Sequence, residues 1–378
     1  MVGRPVPGQG AQVTLSAATI EAVEVAAYGV PTDAPESDGT LQWDSTTLLL
    51  ARVRAGGSEG IGYGYADTAT AQLIRGRLGP LLIGADALQT AARWSDMVRA
   101  IRNLGRPGIA SMAIATLDAA LWDVKGRLLG LPLALLLGAA RDAVPVYGSG
   151  GFTSYSIERL QSQLGGWVAQ GLTKVKMKVG REPAQDASRV AAARQAVGDG
   201  VALFVDANGA YTRKEALQMA QHFAGCGVAW FEEPVSSDDL EGLRLLRDRA
   251  PAGMAITAGE YGYDAAYFRR MLQAGAVDVL QADATRCAGI TGFMRVAALA
   301  EAHQLPLSSH CAPALHVTPC CCAPNVVHLE YFHDHVRIES MLFEGAPRPV
   351  NGMLAPDLSR PGLGLEFKAK EAKCFRVM

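Results

Sequence analysis

The sequence predicts an α/β fold: an eight-stranded parallel barrel behind an α+β capping domain. Three observations predict it. After residue 140, short apolar runs alternate with amphipathic helical stretches at intervals of about 20 to 30 residues. Before residue 140 the order is different, with two strand-like runs followed by helix. The polar residues of the later runs gather at the C-terminal ends, where a barrel builds its site.

The elements follow in chain order. MVGRPVPGQGAQ, at the start, has no apolar core and does not resemble a signal peptide; its Gly, Pro and Gln content predicts a loose tail. Residues 20–28 (IEAVEVAAY) and 46–55 (TTLLLARVRA) alternate and are β-branched, which predicts strands. Between them, 30–45 is polar and rich in Pro and Asp. It predicts a loop long enough to serve as a lid, with Trp43 on it to meet or shield a substrate. EGIGYGYADT, 59–68, predicts a turn that shares in specificity. From about 70 to 138 the spacing is helical, with Ile109, Met112, Ala113, Leu117, Leu121 and Val124 in phase.

Eight strand-like runs then occur at 144–149, 173–179, 202–208, 229–234, 255–260, 278–284, 305–310 and 325–331. Strands alternating with helices pair in parallel, and eight such units close more naturally than they stay open. A doubly wound open sheet is the alternative. It would need a glycine-rich phosphate turn, and GSGGFTS at 148–154 lacks that spacing.

Composition removes several classes of function. Thirty-five basic residues against 37 acidic ones leave no surplus to attract nucleic acid. LLGLPLALLLGAA, 128–140, is too short and too broken by Pro and Gly to span a bilayer. The seven cysteines, three of them consecutive (Cys320, Cys321, Cys322), predict buried reduced thiols in a cytoplasmic setting and disfavour a zinc site.

The chemistry-bearing residues are Lys176 and Lys178, then Asp206 and Asn208, Glu232 and Glu233, Glu260, Asp283, His310 and Glu330. From Lys178 onward, leading residues recur after 28, 26, 28, 23, 27 and 20 positions, about one βα unit each time. Asp206, Glu232 and Glu260 would crowd three negative charges on adjacent strands; a hard cation such as Mg²⁺ resolves that, whereas pairing with helix lysines is the plainer reading for each acid alone. In TKVKMKV, Lys174, Lys176 and Lys178 share one strand face, and two neighbouring ammonium groups should depress each other toward a usable base. Asp283 is placed to orient His310. Glu330 is read equally as a hydrogen-bond donor or a salt-bridge acid. His222, His303, His316, His328, His333 and His335 are read as structural.

At these residues the chain resembles the enolase superfamily, and within it the mandelate racemase subgroup. The similarity runs through ASMAIATLDAALWDVKGRLLGLPLALLLGAARDAVPVYGSGG, Lys176-x-Lys178, Asp206-x-Asn208, WFEEP, AGE, Asp283 with AGITG nearby, SSH ending at His310, and VNGMLAPDLSRPGLGLEF. The resemblance implies a TIM-like (β/α)7β barrel over 141–349, with a capping domain at 1–140 completed by 350–378. It implies Mg²⁺ on Asp206, Glu232 and Glu260, with Lys178 and His310 as bases and Asp283 behind His310. Lys176 and Glu330 would stabilise the charge that forms on deprotonation, and Asn208, Arg286 and Trp43 are candidate substrate contacts. Muconate-lactonizing-like members carry a lysine where Asp283 stands, and gluconate-type dehydratases usually lack the second lysine, here Lys178.

The implied activity is abstraction of the proton α to a carboxylate through an enediolate. Dehydration of a sugar acid is favoured over racemisation or epimerisation of a 2-hydroxy acid. A non-catalytic ligand-binding barrel is the reading from another class, and an intact acid–base set argues against it. The expected partner is a small carboxylate substrate, with neither nucleic acid nor membrane, in a homo-oligomer of dimer to octamer size.

Overall fold

The computed structural model describes residues 18–378; the tail expected at the start lies outside them. The capping region is a three-stranded antiparallel sheet in the order β1 (Ile20–Ser37), β2 (Gln42–Ala55) and β3 (Ser58–Tyr65). The lid expected as a loop over 30–45 is therefore largely a β-hairpin. Its strands pair from Ala22↔Arg54 to Pro31↔Ser45, break, and resume at Glu36↔Trp43 and Ser37↔Gln42. Pro35 falls inside the break, where no ladder N–H is required of it. Asp38 closes the tip by accepting from the Thr40 and Leu41 amides at 2.6 and 2.7 Å.

The turn expected at 59–68 is likewise mostly strand, β3, followed by a helix from Thr68. Its glycines serve packing. A Cβ on Gly60 would stand 2.3 Å from the Val124 amide nitrogen, and one on Gly62 2.2 Å from the Thr116 carbonyl. Both partners lie in the helix Ile109–Leu129, which is buried around most of its circumference. Only glycine lets strand and helix backbones approach so closely.

Eight parallel strands form the barrel: β4 (Val144–Gly150), β5 (Lys174–Lys178), β6 (Ala202–Asp206), β7 (Val228–Glu232), β8 (Ala255–Ala258), β9 (Val279–Ala282), β10 (Leu307–Ser309) and β11 (Val326–Phe332). They pair in sequence, and β11 closes on β4 with Glu330 opposite Tyr147. Each β–β crossover carries a helix, and Thr212 with Glu215 forms a capping box on one of them. A helix, His333–Leu342, also follows β11.

The barrel interior is filled. Tyr147, Phe204, Trp230 and Val279 form a buried cluster, with the Phe204 and Trp230 rings stacked at 5.1 Å. The closing segment returns to the capping side. Asp123, in the long helix, accepts from the Leu363 amide at 2.7 Å, and the Val377 amide donates to the Ala27 carbonyl at 2.9 Å.

All seven cysteines are free thiols, with Cys320–Cys322 buried in the helix Pro313–Cys322. No helix among the described residues is long and apolar enough to cross a membrane.

Candidate active site

Strand register sets the level of the site. Lys178 lies opposite Asp206, and Asp206 opposite Glu232, so the last residues of β5, β6 and β7 form one row. Asp283 follows β9 and His310 follows β10, while Glu330 stands within β11. The chain turns sharply as it leaves the strands: Asn208, Glu233, Cys311 and Ala312 all have positive φ, between 38° and 52°. For non-glycine residues that backbone costs about 1–3 kcal/mol each, a strain that gathers at functional sites.

Asp206, Glu232 and Glu260 each bring one carboxylate oxygen within 4.8 Å of the others, and all three are buried. Glu260 Oε2 has no hydrogen-bond partner. Three converging carboxylate oxygens, beside a Glu260 Oε2 that makes no hydrogen bond, suit a hard dication that completes its shell with substrate oxygens. The acids are not as bare as their spacing suggested, because Lys176 Nζ lies 2.5 Å from Glu232, 2.8 Å from Glu330 and 3.3 Å from Asp206. Lys178 Nζ bonds Asp206 at 2.5 Å and Asn208 Oδ1 at 3.1 Å.

These contacts correct the expected electrostatics of the lysines. Burial opposes their charge, but the carboxylates outweigh it: Glu232 and Glu330 hold Lys176, and Asp206 holds Lys178, above the ordinary lysine range. Mutual depression of the two ammonium groups is the smaller effect. Burial works against ionised Glu330 too, yet Lys176 and His310 hold it well below the carboxylate range. It accepts from Ser149 Oγ at 2.6 Å and from the Cys311 amide at 2.8 Å. Of the two readings of Glu330, the geometry supports the salt-bridge acid and gives it no proton to donate.

His310 Nδ1 is 2.8 Å from Asp283 Oδ2, and its Nε2 is 3.3 Å from Glu260 Oε2. Burial would push the imidazolium down; the Glu260 charge and the Asp283 bond raise it above the ordinary value. Asp283 Oδ1 accepts from the amide and hydroxyl of Thr285, both at 2.7 Å.

Lys178, Glu260, Asp283, His310, Asn208, Arg286 and Trp43 line one cavity of about 550 Å³, whose capping-side wall comes from the hairpin and the end of β3. Lys176, Asp206, Glu232 and Glu330 lie beneath it. Arg286 reaches Glu260 Oε1 at 3.3 Å and stacks on Tyr261. Trp43 gives its indole N–H to Glu36 at 2.9 Å and packs edge-on against Phe152, so it meets the cavity with a ring face or edge rather than a donor. A neighbouring cavity of about 620 Å³ shares Asn208 and Tyr261 but contains neither Lys178 nor His310.

Sequence reasoning missed several residues here. Ser149 ends the first barrel run, the one strand assigned no polar role, and that position was the available signal. Cys311, beside His310, puts its Sγ 3.2 Å from Nε2. His316 accepts from the Ala284 amide at 2.7 Å and so ties down the turn that carries Asp283. His335, read as structural, lines the cavity.

Known proteins share this fold. The mandelate racemase / muconate lactonizing enzyme N-terminal domain model matches residues 13–138, and the enolase C-terminal domain-like model matches residues 159–372. A mandelate racemase/muconate lactonizing enzyme-like protein from Rubrobacter xylanophilus superposes with a TM-score of 0.93 at 55% identity, covering 95% of this chain and 100% of its own. L-talarate/galactarate dehydratase from Salmonella typhimurium is 32% identical over 83% of this chain and 81% of its own length. Its structure liganded with Mg and L-lyxarohydroxamate aligns at 28% identity with a TM-score of 0.88, covering 100% and 97% of the two chains. D-galactarolactone cycloisomerase from Agrobacterium fabrum is 30% identical over 91% of this chain and 95% of its own. With both halves matched by family models and the capped barrel shared, the chain belongs to the mandelate racemase / muconate lactonizing enzyme family of the enolase superfamily.

Proposed function

We propose that this enzyme dehydrates a sugar acid, an aldonate or aldarate, to a 2-keto-3-deoxy acid. The observation that carries the reading is the pairing of two proton-transfer groups, Lys178 and the Asp283–His310 dyad, around one cavity above three converging carboxylates. Asp206, Glu232 and Glu260 would hold Mg²⁺, which supplies the Lewis acid that polarises the substrate carboxylate.

Lys178 removes the α-proton. Its ammonium form is held by Asp206, so its action as a base requires that hold to weaken. Lys176, fixed by Glu232 and Glu330, keeps its positive charge and stabilises the negative charge of the enediolate. His310, oriented by Asp283, gives a proton to the departing β-hydroxyl. The hairpin forms the capping-side wall of the cavity, and its closing over a bound substrate would exclude water and strengthen each of these contacts.

A racemase uses the same two groups on one carbon, and the product separates the readings. Incubating the Mg²⁺-loaded enzyme with a library of aldonates and aldarates and assaying 2-keto product tests the proposal. Dehydration predicts a 2-keto-3-deoxy acid from at least one member. Inversion of configuration with no keto product would replace it with racemisation.

A further inference from the structure

His335 takes no part in the steps above, yet its surroundings fix it closely. It sits in the helix that follows β11, on the cavity wall. Its ring lies flat against Tyr65 of the capping sheet, with centroids 3.4 Å apart and planes 11° from parallel, and edge-on to Phe332 at 5.0 Å. Its Nδ1 accepts the Ala312 amide at 3.2 Å. A backbone N–H can only donate, so Nδ1 carries the lone pair and the ring proton belongs to Nε2. Burial also holds the ring neutral, well below the ordinary histidine value. Nε2 has no protein partner among the described residues. His335 is therefore a fixed, neutral hydrogen-bond donor on the cavity wall.

The charges around it divide by side. The cationic side chains of the cavity, Lys178 and Arg286, belong to the barrel and are engaged, the first by Asp206 and the second by Glu260 and Asp283. On the capping side the lining offers Ser45, Thr46 and Thr47, the carboxylates Asp38 and Asp67, and, among the described residues, no lysine or arginine. A second carboxylate on the substrate would meet two like charges there and no cation, a costly burial. A hydroxyl would meet donors and acceptors that suit it.

We propose that His335 donates its Nε2 proton to a chain hydroxyl of a monocarboxylic sugar acid, so that the site takes aldonates in preference to aldarates. This rests on the sugar-acid reading above and narrows it. Tyr65 holds the ring from the capping side and makes the contact depend on the closed interface between the two domains.

The test uses the Mg²⁺-loaded full chain with matched pairs: D-galactonate against galactarate, and D-gluconate against D-glucarate. Wild type should favour the aldonate of a pair in kcat/KM. His335→Phe keeps a stacking ring but has no donor. It should raise KM about tenfold, the worth of one hydrogen bond, and leave α-deuterium exchange at saturating substrate near wild type. His335→Gln, which restores a donor, should recover part of the loss. A wild-type preference for the aldarates, or an unchanged KM in His335→Phe, overturns the proposal.

If wild type turns over none of the four, the comparison moves to the aldonate and aldarate that the library screen identifies, and the dehydratase reading fails only if that screen yields no keto product. This inference is then decided by nitrogen-15 histidine spectra of the holoenzyme. They should show His335 as the Nε2–H tautomer, with a proton signal that shifts when D-galactonate binds. The Nδ1–H tautomer, or an unmoved signal, contradicts it.

Discussion

Two adjacent layers of the same barrel interior obey opposite rules. Residues two apart on a strand share a face, so Phe204 lies beneath Asp206, Trp230 beneath Glu232 and His328 beneath Glu330. The lower layer is aromatic: Phe204, Trp230, Tyr147 and His328 pack with centroids 4.9 to 6.4 Å apart. Burial lowers the His328 pKa to about 3, which keeps its ring neutral. The upper layer is ionic, with Lys176 buried among three carboxylates. Burying so many charges is weak as a source of stability, since well-packed apolar residues often do as well or better. The lower layer is thus explained by folding, and the upper layer makes sense only through the cation and substrate it serves.

The comparison can be broken at several points. The largest effect should come from Glu232→Gln, which should abolish measurable turnover and weaken Mg²⁺ binding by calorimetry while the circular dichroism of the barrel stays intact. Loss of the fold instead would mean that the upper layer is structural.

Trp230 joins the layers, since its indole N–H donates to Glu232 Oε2 at 3.0 Å. Trp230→Ala should cost about 3–5 kcal/mol in urea unfolding. Trp230→Phe keeps most of the packing and loses the bond. It should weaken Mg²⁺ by roughly 10- to 100-fold, as expected when a ligand's supporting partner is removed.

Glu339 offers a control for the upper layer. It is a buried carboxylate with no cation beside it, accepting from Tyr63 Oη at 2.6 Å and the Ala314 amide at 3.0 Å. Burial raises its pKa from 4.5 to about 8. Between those values the folded state keeps a proton that the unfolded chain has released, so stability should fall as pH rises from 4.5 toward about 8. Glu339→Gln should flatten that slope in thermal melts at a series of pH values; an unchanged slope would place its origin in other groups.

Much of this was legible in the sequence. Barrel class and the rising order of charged residues follow from period, because each βα unit returns the chain to the same mouth. The metal-ligand candidates stood out because carboxylates at strand ends have few structural reasons to be there. The capping hairpin was not legible. Pro31, Pro35 and Asp33 read as loop, and only the register break shows how a strand can carry them. The glycines of β3 read as a turn, since close approach to Thr116 and Val124 is a tertiary fact with no local signature. Lysine electrostatics failed for a similar reason: the spacing showed two ammonium groups near each other, but not the carboxylates that lie nearer still. His335 was passed over because its role depends on which atom meets Nδ1.

The central claim is that Lys178 removes the α-proton and that His310 serves the departing β-hydroxyl across the same cavity. Incubation of Mg²⁺-loaded Lys178→Ala and His310→Asn in heavy water, with each α-epimer of a turned-over sugar acid, tests it most directly. The account predicts that turnover is lost in both variants, by about 10²- to 10⁴-fold. It also predicts that α-deuterium exchange of the epimer facing Lys178 survives in His310→Asn and disappears in Lys178→Ala. Undiminished turnover in either variant, or exchange of that epimer in both, would contradict it.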